Sequence, residues 1–363
     1  MRVLVIVTIT LIATITETRG QAVPIRISFD ASARTNLLAY PNVRGEIVPA
    51  RSVADWQKRR ASIVAAMQTI MGPLPGAEKR CPLDVRIEDE TDCGAYVRRA
   101  ISYLAEPEGR VPAYLLIPKA ALTNSVRCRG VLSLHSTQAG GNKATAGVAA
   151  HPGNEHGVEL AKRGYVVIAP PYPLLAGYNP DLKALGYESG TMKAIWDNIR
   201  ALDLLESLPF VETNGFAAIG HSLGGHNSVY TAVFDPRIKV VVSSCGLDSY
   251  RDYMDGKIKG WASDRYMPKL LEYKDRLHEL PFDFYEMVAA LAPRPCFINA
   301  PIGDTNFKWR SVDAIAREAR KVYALYGSSD NLRVEHPDCG HEFPGKMREE
   351  VYGVIDQVLR NRP

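Results

Sequence analysis

The chain has 363 residues, 46% of them hydrophobic and 23% charged, which is enough apolar material for one large core and excludes an intrinsically disordered chain. The formal charge of +4 comes from residues of both signs scattered along the sequence, so nucleic acid is not an indicated partner.

Residues 1–22 combine Arg2, an apolar run from Val3 to about Ile15 and a polar segment ending in small residues near Gly20 and Ala22. This is the pattern of a cleaved signal peptide, and the apolar run falls short of the ~20 residues that a spanning helix needs. A secreted or periplasmic protein without stable membrane association is expected. The rest divides into an extension over 23–94 and a catalytic domain over 95–363, with an insertion at about 247–293.

From about Ala50 to Met71 apolar residues recur at helical spacing, and "GPLPG" stops the run. The segments "LDVRIEDE", "AYVRRAISYLA" and "VPAYLLIPK" read as strands joined in antiparallel hairpins. After Val131 the rhythm changes to strand then helix. "GVLSLHS" and "YVVIAPPYP" are buried strands around a helix near Gly157 to Arg163, and Met192, Ile195, Trp196, Ile199, Leu202 and Leu205 mark one face of a further helix. "FAAIGHS", "IKVVVSSCG", "RPCFINAPIGD" and "LRVEHPDCGHEF" alternate with helices to the C-terminus. Such alternation predicts an α/β fold with a mostly parallel central sheet covered by helices on both faces.

Within "GHSLGG", Ser222 stands where a buried strand meets a helix, flanked by Gly220 and Gly224. An abrupt strand-to-helix turn strains its corner residue, and glycines two before and two after it remove side chains that would collide. Ser222 is the predicted nucleophile. It needs a base, and among eight histidines His341 is best placed, after the last strand and before the C-terminal helix. His221 is expected to point away from the hydroxyl, and His226 to serve packing or to support the site from behind. For the carboxylate that orients the base, Asp304 just past "CFINA" is preferred to Asp330, with Asp248 a weaker rival. The oxyanion donors are expected to be the N–H groups of Leu223 and Thr137, with Gln138 as the alternative to Thr137. In the insertion, Trp261 and Tyr266 are expected to line a substrate pocket; the alternative is that these aromatic residues anchor the insertion to the core.

The six cysteines form no C-x-x-C pair. Cys245 and Cys296 read as buried thiols, and a bridge between Cys81 and Cys93 is the one pairing considered.

On "LHST", "GHSLGG", "IGD" and "PDCGH", in that order from about residue 95 onward, the chain resembles the α/β-hydrolase superfamily, specifically secreted serine esterases related to dienelactone hydrolase and acetylxylan esterase. Dienelactone hydrolases use a cysteine nucleophile, whereas this chain has Ser222. The resemblance implies ester hydrolysis through an acyl-enzyme, with acetylated carbohydrate or other short-acyl esters as substrates. It implies no metal and no organic cofactor, and "HPGNEH", His151 to His156, is expected to be a loop and not a ligand set. The alternatives are a serine peptidase of the prolyl-oligopeptidase kind, for whose N-terminal propeller the sequence leaves no room, and an inactive hydrolase fold used for binding.

Overall fold

The computed structural model describes residues 36–42, 44–123, 126–149 and 153–360. The signal-peptide reading lies outside these residues. A small antiparallel pair, β1 (Ala39–Pro41) and β2 (Ile47–Pro49), leads into α1 (Val53–Met71). Then follow β3 (Arg86–Asp92), β4 (Tyr96–Glu106), β5 (Gly109–Pro118), α2 (Lys119–Thr123), β6 (Cys128–Leu134), α3 (Asn142–Thr145), α4 (His156–Lys162) and β7 (Val166–Ala169). The second half comprises α5 (Gly190–Ser207), β8 (Val211–His221), α6 (Leu223–Phe234), β9 (Ile238–Ser244), α7 (Phe284–Ala290), β10 (Cys296–Asn299), α8 (Trp309–Leu325), β11 (Leu332–Glu335) and α9 (Gly345–Arg360).

Nine strands form one sheet in the order β11-β10-β9-β8-β6-β7-β5-β4-β3. The strands from β11 through to β7 pair in parallel, while β5, β4 and β3 continue the sheet antiparallel. The hairpins are therefore continuous with the parallel sheet, and position 94/95 lies in the turn between two paired strands.

The period-two alternation of a strand assigns its residues to two cores. Phe216, Ala218, Val241 and Ile298 face one core with α1, α5, α6, α7 and α8; Ala217, Ile219, Val240, Val242 and Phe297 face the other, against α4 and α9. Both faces are buried, so the central strands read as unbroken apolar runs.

The six residues predicted to cover the sheet from α5 are all buried, but so is most of the rest of that helix. Its polar side meets charge supplied by distant segments. Lys193, fully buried, lies 2.7 Å from Glu106 and also pairs with Asp197, which accepts from the Tyr178 hydroxyl at 2.9 Å. Burial pushes the Asp197 carboxyl up to about 6 against the pull of Lys193. Similarly, Arg59 of α1 pairs with Glu286 of α7, whose first turn is closed by a capping box with Asp283.

All six cysteines are free thiols. Cys81, before β3, and Cys93, just after it, are therefore not bridged to each other.

Removing the Lys193 ammonium would leave two carboxylates buried together, so Lys193→Met is expected to lower the unfolding free energy by about 3 kcal/mol or more in urea titration. A loss below about 1 kcal/mol would show that the carboxylates are compensated elsewhere.

Candidate active site

Strand β8 ends at His221 and α6 begins at Leu223, leaving Ser222 alone at the corner with φ 55° and ψ −118°. A positive φ is strained for a residue with a side chain and persists only where the surroundings enforce it. Here the enforcement is close backbone contact. A Cβ on Gly220 would fall 2.3 Å from the Gly224 carbonyl, and a Cβ on Gly224 would fall 2.0 Å from Leu134 O at the end of β6. The Ser222 N–H donates to Ser244 O at the end of β9, 2.7 Å away.

His341 reaches the serine from the loop after β11. Its Nε2 lies 3.0 Å from Ser222 Oγ and its Nδ1 lies 2.9 Å from Asp304 Oδ2. The Asp304 side chain is 1% exposed, and its other oxygen accepts from the N–H groups of Asn306 at 2.8 Å and Phe307 at 3.1 Å. Burial alone would raise this carboxyl, but the His341 ring and the two N–H donors outweigh it and hold it below its usual value. The loops of acid and base are also tied by backbone: Ile302 N–H donates to Pro337 O at 3.1 Å and Gly303 N–H to Cys339 O at 3.0 Å.

The other two aspartates are elsewhere. Asp330 is exposed and precedes β11, at the opposite end of that strand from His341. Asp248 is buried, accepts from the Lys308 N–H at 3.1 Å, and is raised to about 6 by desolvation. The His221 ring has Nδ1 3.1 Å from Ser244 Oγ, and its centroid lies 4.9 Å from that of the tilted His341 ring. His226 is packed among Tyr230, Trp261 and Tyr266, and burial pushes it down to about 3.

Leu223 starts α6, and Thr137 lies exposed on the loop that leaves β6 past Gly224. Among the described residues neither N–H has a hydrogen-bond partner, and both are free for an anion. The Thr137 hydroxyl lies 3.3 Å from the Tyr266 hydroxyl, which brings the insertion to the rim of the site. Trp261 differs from the pocket reading. It is 3% exposed and touches Tyr250, Tyr253, Phe284 and Phe307, so it anchors the insertion, and Tyr266 is the aromatic residue that reaches the rim.

Cys245, at φ 48°, places its thiol, the Asp304 carboxylate and the His341 ring within 4.8 Å of one another. Such a trio could ligate a metal, yet Asp304 and His341 already bond each other and the thiol donates to Glu342 O at 3.3 Å. Burial and the neighbouring carboxylate push that thiol well above its usual value, which opposes the thiolate a metal requires. Of the "HPGNEH" segment, His151 lies outside the described residues, and His156 is buried at the start of α4. The His135 ring, within the "LHST" segment, accepts from the Tyr172 N–H at 2.8 Å.

A parallel sheet with this strand order, a strained serine between strand and helix, and a histidine after the last strand give the chain the α/β-hydrolase fold. Residues 184–327 match the family described as glucuronyl esterase, fungi. The chain is 31% identical over 170 residues to the putative hydrolase YtaP of Bacillus subtilis, covering 46% of this chain and 53% of the relative. It is 24% identical over 188 residues to 4-O-methyl-glucuronoyl methylesterase 1 of Wolfiporia cocos, covering 46% and 45%. The chain thus spans about half the length of the curated relatives it matches. Among solved structures it is similar to a glucuronoyl esterase from Solibacter usitatus, with TM-score 0.69 and 19% identity over 90% of this chain and 97% of the other. It is also similar to a putative acetyl xylan esterase from Bacteroides fragilis, with TM-score 0.60 and 18% identity over 85% and 87%. At these identities the structural likeness establishes the fold. No helix among the described residues is long and apolar enough to cross a membrane.

The contact of Gly224 with Leu134 O leaves no room for a methyl group. Gly224→Ala is expected to lower the unfolding free energy by about 2 kcal/mol, read from denaturant melts, by prising the β6 loop from the turn. A variant as stable as wild type would show that the turn tolerates separation.

Proposed function

We propose that the protein is a serine carboxylic-ester hydrolase acting on carbohydrate esters through an acyl-enzyme, and that it is exported. The observation that carries this reading is the unbroken path from Asp304 through His341 to Ser222, with bonds of 2.9 and 3.0 Å. Ser222 Oγ attacks the ester carbonyl carbon while His341 Nε2 takes its proton. Asp304 holds Nδ1 protonated and stabilises the imidazolium, and the N–H groups of Leu223 and Thr137 receive the oxyanion. Collapse expels the alcohol, whose oxygen takes the proton from His341. Water, deprotonated by the same ring, then releases the acid and restores Ser222.

Carbohydrate is favoured as the substrate class by the similarity of residues 184–327 to glucuronyl esterases. Exposed Thr137, half-buried Ser222 and the 30% exposed His341 side chain leave the site open enough for a bulky group on either side of the ester. Within that class we place hexuronoyl esters ahead of acetylated sugars, with Tyr266 contacting the sugar. Turnover of a benzyl glucuronate ester should exceed that of acetylated xylose and of a matched amide. Preference for the acetyl ester would move the substrate to acetylated carbohydrate, and preference for the amide would point to a peptidase.

Ser222→Ala should leave at most about one part in a thousand of wild-type kcat, with the fold intact. Asp304→Asn should lower kcat by about four orders of magnitude, because the amide permits the wrong imidazole tautomer, while Asp330→Asn stays within about twofold. The reverse ranking of the two aspartate variants would refute the role given to Asp304.

A further inference from the structure

We infer that His135 is a positioning residue that aims the Thr137 N–H at the oxyanion, an inference that rests on Ser222 being the nucleophile and Thr137 N–H a donor. The ring sits just past the end of β6 and is 2% exposed, with both nitrogens engaged at 2.8 Å. Its Nε2 faces the Tyr172 backbone N–H, and a backbone amide can only donate, so Nε2 carries the lone pair. The ring proton therefore stands on Nδ1 and is donated to Ser136 O.

Ser136 C=O and Thr137 N–H belong to one peptide group. That group is planar and trans, so its carbonyl and N–H point in opposite directions. Holding the carbonyl on His135 fixes the N–H on the other side, where it has no partner among the described residues. The supports behind the ring are themselves held: the Tyr172 hydroxyl is 2.9 Å from Thr191 Oγ1 on α5, and Ser136 Oγ donates to Asn154 Oδ1 at 2.8 Å. Burial pushes the His135 ring down to about 4, so it stays neutral, with its donor and acceptor in place, at neutral pH. A donor fixed before the reaction begins stabilises the transition state without reorganising.

Two amide side chains separate this role from plain packing. Asparagine carries an N–H near the place of Nδ1, and glutamine an amide oxygen near the place of Nε2. Turnover of a benzyl glucuronate or p-nitrophenyl ester should remain within about fivefold of wild type in His135→Asn and fall by about 100-fold in kcat, with KM little changed, in His135→Gln and His135→Ala. Equal losses in the Asn and Gln variants that follow their melting temperatures would overturn the inference. Imidazole nitrogen NMR on the wild-type protein gives a check that needs no variant. A protonated Nδ1 and a bare Nε2 on His135 are expected, and the opposite tautomer would overturn the proposal. Ser222→Ala measured alongside keeps the two levels apart: wild-type turnover that does not depend on Ser222 would overturn the nucleophile reading and this inference with it, whereas Ser222-dependent turnover with indistinguishable Asn and Gln variants removes only the role of His135.

Discussion

Three backbone segments converge at one corner of the sheet with no space between them. The end of β8, the first turn of α6 and the exit of β6 meet at Gly220, Gly224 and Leu134, and any side chain at either glycine would overlap backbone atoms. That contact forces Ser222 into a positive φ, directs its hydroxyl toward His341, and sets the Thr137 loop beside the open N-terminus of α6. The parallel sheet makes it possible. Strands buried on both faces hold the C-terminal ends of β6, β8, β9, β10 and β11 along one edge, so residues far apart in sequence arrive at the same place.

Electrostatics then distributes the labour. Asp304 is almost wholly enclosed, yet two backbone N–H groups and the His341 ring hold its charge. The His341 side chain is partly exposed, which fits the base role proposed for it. The other rings nearby are arranged differently. His135 and His226 are buried and pushed down to about 4 and about 3, which keeps them neutral and suits them to support. His221 is held by Ser244.

Much of this was legible because it follows from local rules. The spacing of Gly220, Ser222 and Gly224 states a backbone requirement, and the switch from hairpins to strand-helix alternation states the sheet topology. The position of His341 after the last strand follows from the same alternation. The choice among Asp304, Asp330 and Asp248 was open in sequence, since each lies near a strand end. Strand direction separates two of them, because Asp330 enters β11 at the edge far from His341 while Asp304 leaves β10 beside it. What depends on distant partners could not be read. The burial of the polar side of α5 rests on Glu106 and Tyr178, which meet Lys193 and Asp197 from outside the helix. Trp261 looked like a pocket wall because the rings that enclose it span His226 to Phe307. The contacts of His135 could not be read from "LHST", since they depend on peptide geometry and on Tyr172.

The central claim is that Ser222 becomes covalently linked to substrate only because His341 activates it. Peptide mass spectrometry after brief exposure to a fluorophosphonate tests this most directly. The account predicts one adduct, on Ser222, that forms quickly in the wild-type protein and is lost or greatly slowed in His341→Ala. Modification of another residue, or equal labelling of Ser222 with and without the imidazole, would contradict it.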